Sequence, residues 1–181
     1  MEDTLFSENE ESFNITSIPN PLDKLLEKYR FSKELKNNLS SVTCIVLPTE
    51  IKVGGNYEIF FEQGSLDLYN FLKSRDKENF VEILCDDENY QEIVKYDNTL
   101  FLPALLLLND FLKEVTIGLI VDYIKEYVSS KVGVGKIDIS IINQSGKNNY
   151  DEIKYKGSIK NFSKALNDYI EYKRNSKKND S

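Results

Sequence analysis

The stretch LFLPALLLLNDFLKEVTIGLIVDYIKEYV, residues 100–128, is too apolar for a surface helix and too charged for a membrane span. A spanning helix needs about 20 nearly uninterrupted apolar residues. The longest run here, 100–108, is shorter and is broken by Pro103. Asn109 or Asp110 can cap a helix start. Beyond it, Glu114, Gly118, Asp122, Lys125 and Ser129 recur at helical spacing and leave one narrow polar stripe. The rest of the circumference carries Val115, Ile117, Ile120, Tyr123, Ile124 and Tyr127 among others, so well over half of this central helix has to be covered. A sheet with flanking helices would cover it, and so would a sheet together with a second chain. The pattern leaves open whether 100–108 is itself helical or a buried extended segment.

On the N-terminal side, Pro21 opens an amphipathic helix through Leu22, Leu25, Leu26 and Tyr29 that fades near Asn37. Val42–Leu47 and Tyr57–Phe61 are strand-like runs, and the Gly54-Gly55-Asn56 turn between them predicts that they pair antiparallel. Ser65 caps a helix to Arg75, and Phe80–Cys85 is a third strand. Asp86 or Asp87 is placed to cap a short helix reaching about Tyr96. On the C-terminal side, Gly133 and Gly135 end the central helix. Ile137, Ile139 and Ile141 then alternate with Asp138 and Ser140, as in a strand with one buried face. Tyr150–Lys156 returns beside it, and Ser158 caps a closing helix with Phe162, Leu166 and Tyr169 on its apolar stripe.

This order predicts an α+β two-layer domain, with a mixed, largely antiparallel sheet of about five strands packed by the central apolar helix and the C-terminal amphipathic helix. Residues 1–20 carry five acids, no basic residue and few apolar side chains, and are expected to be a mobile acidic arm. The single domain would then span 21–174, with a disordered tail over 175–181.

Composition narrows the function by exclusion. There is no histidine, so Ser-His-Asp triads, Cys-His dyads and His-ligated zinc cannot be built within this chain. A net charge of −7 argues against nucleic acid as the main partner. No membrane partner is expected. Cys44 and Cys85 lie in apolar strand-like runs, and the N-terminus does not read as an export signal, so a reducing cytoplasm is the expected compartment. Twenty Lys against three Arg fits an A/T-rich bacterial or phage genome.

Three constellations invite chemistry. Val132-Gly133-Val134-Gly135-Lys136 lacks the glycine spacing, the following hydroxyl and the strand-to-helix context of a phosphate loop. Asp86, Asp87, Glu88 and Glu92 favour a helix dipole more than a cation. Asp138 with Glu152 and Lys154 resembles in spacing a nuclease centre, in which an Asp and Glu-x-Lys on adjacent strands hold Mg²⁺. A turn that sets Asn143 opposite Asn149 would instead place Asp138 across from Lys154 as an ordinary ion pair.

The expectation is therefore a non-enzymatic accessory subunit or regulator that binds another protein or itself, with no cofactor or metal. Its interface is expected on the central helix at Glu114, Asp122, Tyr123 and Tyr127. A Mg²⁺-dependent phosphodiesterase built on Asp138, Glu152 and Lys154 is the alternative. An acidic inhibitor imitating nucleic acid through Glu8, Glu10 and Glu11 is the third reading.

Overall fold

A computed structural model describes residues 3–8, 11–75, 81–95, 99–108, 113–130, 135–144 and 149–179. The 100–108 run is extended. It forms β8 (Thr99–Phe101) and β9 (Ala104–Leu107), which lie end to end, both parallel to β10 (Lys136–Gln144). Pro103 cannot donate to the ladder, so pairing breaks there. The amide of Leu102 still donates to the Asp138 carbonyl at 2.9 Å across the break. Leu105 and Leu107 face one side of the sheet and Leu106 the other, and all three are essentially fully buried. A strand covered on both faces needs no polar alternation, which is why this segment reads as an unbroken apolar run.

The other strands of this sheet are β1 (Asp3–Glu8), β2 (Glu11–Ile18), β3 (Cys44–Leu47), β6 (Val81–Ile83) and β11 (Tyr150–Ser158). They lie in the order β1-β2-β11-β10-β9-β3-β6, with β8 also on β10. The β10–β9 and β3–β6 pairs are parallel, whereas β1–β2, β2–β11, β11–β10 and β9–β3 are antiparallel. A second, three-stranded sheet holds β4 (Thr49–Val53), β5 (Asn56–Glu62) and β7 (Glu92–Ile93). The α+β class is as expected, and the strands outnumber the expected five.

Helices α3 (Ser65–Arg75), α4 (Lys113–Ser130) and α5 (Ile159–Asn179) share one face of the main sheet, where Leu72, Ile120 and Phe162 join Val46, Leu105 and Ile139 in one core. Helices α1 (Pro21–Lys28) and α2 (Lys33–Leu39) cover part of the opposite face, with Leu25 and Leu35 over Ile45, Leu106 and Ile142.

Several expectations are corrected. Residues 11–18, assigned to a mobile arm, form β2, which pairs along its length with β11. Phe13 is buried in the main core opposite Tyr155. The Gly54-Gly55 turn joins β4 to β5, with both glycines at positive φ (58° and 96°), as a two-residue type I′ hairpin requires. Val42–Leu47 therefore does not pair with Tyr57–Phe61: β3 lies between β9 and β6. After Asp86 comes a short 3₁₀ turn, Asp87–Asn89, and then β7, where a helix to Tyr96 was expected. The single expected helix from Pro21 is two helices. Backbone helix continues to Asn179, through part of the expected tail. The expected caps at Asn109, Asp110 and Gly133 lie outside the described residues.

Candidate functional site

Helix α4 buries Thr116, Ile117, Ile120, Tyr123 and Ile124, half-buries Leu119, Val121 and Tyr127, and exposes Val115, Gly118, Asp122, Lys125 and Glu126. The expected surplus of uncovered apolar circumference is thus mostly closed within the chain, by the sheet and by α3. Of the interface residues expected from sequence, Tyr123 is misplaced: it is 5% exposed and belongs to the core. Its ring packs edge-on against Phe71 of α3, centroids 5.2 Å apart, and lies 5.8 Å from the Tyr127 ring. Its hydroxyl is buried without a hydrogen-bond partner, and burial, reinforced by Asp67 and Tyr127, pushes its pKa well above the usual tyrosine value. Glu114 lies in the first turn of α4, and its side chain is outside the described residues.

Tyr127 and Asp122 remain at the surface. Linked to Tyr127 through the Tyr123 ring, the half-buried Phe71 ring carries the Arg75 guanidinium 3.6 Å from its centroid, and Arg75 donates to Glu126 Oε2 at 3.2 Å. Asp122 is well exposed, with Lys125 Nζ 4.0 Å away one helical turn on. The α3–α4 seam thus presents two aromatic edges, an arginine stacked on one of them, and a rim of opposite charges. Sequence periodicity identified Tyr127 and Asp122, but Phe71 and Arg75 were missed because they belong to another helix. Their spacing of four on α3, an aromatic followed by an arginine, was the available signal.

Helix α3 is anchored at its start by its own first residue and by a tyrosine from a neighbouring segment. Ser65 Oγ donates to the Glu62 carbonyl at 2.6 Å, and the Tyr90 hydroxyl, bonded to the Leu66 amide, donates to Glu92 Oε1 at 2.6 Å. Phe61 stacks on Tyr90 at 5.0 Å.

The final hairpin forms as expected but two residues out of register. Asp138 faces Lys156, Ser140 faces Lys154, and Ile142 faces Glu152. The residue opposite Glu152 is therefore four positions from Asp138, about 13 Å along the strand. Glu152 instead accepts from Ser140 Oγ at 2.7 Å and pairs with Lys154 at 3.1 Å. Among the described residues no three acidic or thiol side chains gather as metal ligands.

Two of the acids in the Asp86–Glu92 segment are engaged separately. Asp86 Oδ2 accepts the Ser32 amide at 2.9 Å at the start of α2, and Glu92 holds Tyr90. Lysine–carboxylate ion pairs at two sites were not anticipated. Glu62, buried on β5, takes Lys95 Nζ at 3.0 Å on one oxygen while the other has no partner. Glu50 on β4 receives Lys24 at 3.0 Å, the Tyr29 hydroxyl at 2.9 Å, and Lys28. The lysine contacts, that of Lys28 foremost, hold its carboxyl at about 2. Cys44 and Cys85 are buried and are not joined in a disulfide, and Cys85 Sγ donates to the Asp86 carbonyl at 3.2 Å.

No described helix is long and apolar enough to cross a membrane. No family model, curated protein or solved structure matches the chain.

Proposed function

We propose that the chain is a protein-binding accessory subunit or regulator of a bacterial or phage cytoplasmic complex, engaging its partner through the α3–α4 seam at Phe71, Arg75, Asp122 and Tyr127. The observation that carries the reading is the pairing of aromatic edges with a ring-stacked arginine on two packed helices. Tyrosine and arginine supply much of the binding energy at interfaces, and rigid elements present them at low entropic cost. The phosphodiesterase alternative draws less support, because Glu152 is engaged by Ser140 and Lys154 while Asp138 faces Lys156 across the hairpin. The inhibitor reading loses Glu11, whose carboxylate is bonded to the start of α5.

The test is a tagged pull-down from the native host, quantified by mass spectrometry, beside a Tyr127→Asp control. A partner recovered near stoichiometry and lost in the control is the expected result. A second copy of the chain as the only stoichiometric partner would make the seam a homo-oligomer interface. Equal recovery of the partner by the control would move the interface elsewhere.

A further inference from the structure

We draw no further inference here: the strongest candidate, the open polar face of the main sheet around Thr16, Asp138, Ser140, Glu152, Lys154 and Lys156 on β2, β10 and β11, is balanced in charge and nothing in the structure shows what covers it.

Discussion

Tyr123 carries a hydroxyl where its environment offers no partner. Leaving such a group buried costs about 1–3 kcal/mol, so Tyr123→Phe is expected to stabilise the fold by about 1 kcal/mol and raise Tm by roughly 2–4 °C. Calorimetry checks it, and a lower Tm would mean that the hydroxyl is satisfied. Gly157 is constrained by a close approach: a Cβ there would sit 2.8 Å from Glu11 Cγ and 3.0 Å from the Tyr155 hydroxyl. Glu11 uses that space to accept the Ser158 amide at 3.0 Å and the Asn161 amide group at the start of α5. Gly157→Ala should displace it and cost about 1–2 kcal/mol, the usual worth of a helix cap. In a Glu11→Ala background the same change should cost less, and urea unfolding of the four variants measures that coupling. Glu50 supplies the pH dependence. Its folded pKa of about 2 lies below its ordinary 4.5, so its stabilisation is complete above about 4.5 and is lost as pH falls towards 2. The full shift would correspond to about 3 kcal/mol, but Lys24 is largely exposed and Lys28 partly so, and screening brings the expectation to about 1–2 kcal/mol. Glu50→Gln should flatten the stability profile between those pH values. An unchanged acid limb, followed by urea unfolding at stepped pH, would contradict this.

At the scale of elements, what was legible follows local periodicity. Helix α3, the β10–β11 hairpin and α5 were each readable because one buried face imprints a repeat of two or of 3.6 residues on the sequence. The hairpin parity was right while its register was not: a slip of two keeps every side chain on its own face, so alternation cannot detect it. Strand β2 was missed although Phe13 and Ile15 alternate with Ser12, Asn14 and Thr16, because five acids and no basic residue in the first twenty positions dominated the reading. The 100–108 run was ambiguous for a physical reason, since burial on both faces erases the signal that separates strand from helix. The revised N-terminus makes a sharp prediction. Phe13→Ala should cost about 3–4 kcal/mol, as for other buried aromatic truncations. A mobile arm would leave urea unfolding unchanged.

For the whole molecule, strand order was not legible, because β3 meets β9 and β6 through pairings more than thirty residues apart that no local pattern encodes. The site was half legible for the same reason. Asp122 and Tyr127 follow from the α4 stripe, whereas Phe71 and Arg75 join them only once α3 packs alongside. Tyr123 was misjudged because helical periodicity gives the angle of a residue about its helix and says nothing of which neighbouring element fills that direction. The central claim is that this seam binds another protein. Its most direct test is the native-host pull-down repeated with Asp122→Lys, a change at an exposed position that leaves the core intact, beside Glu152→Ala on the hairpin. The account predicts at least a tenfold drop in partner recovery with Asp122→Lys and unchanged recovery with Glu152→Ala. Recovery lost only with Glu152→Ala, or retained in both variants, would contradict it.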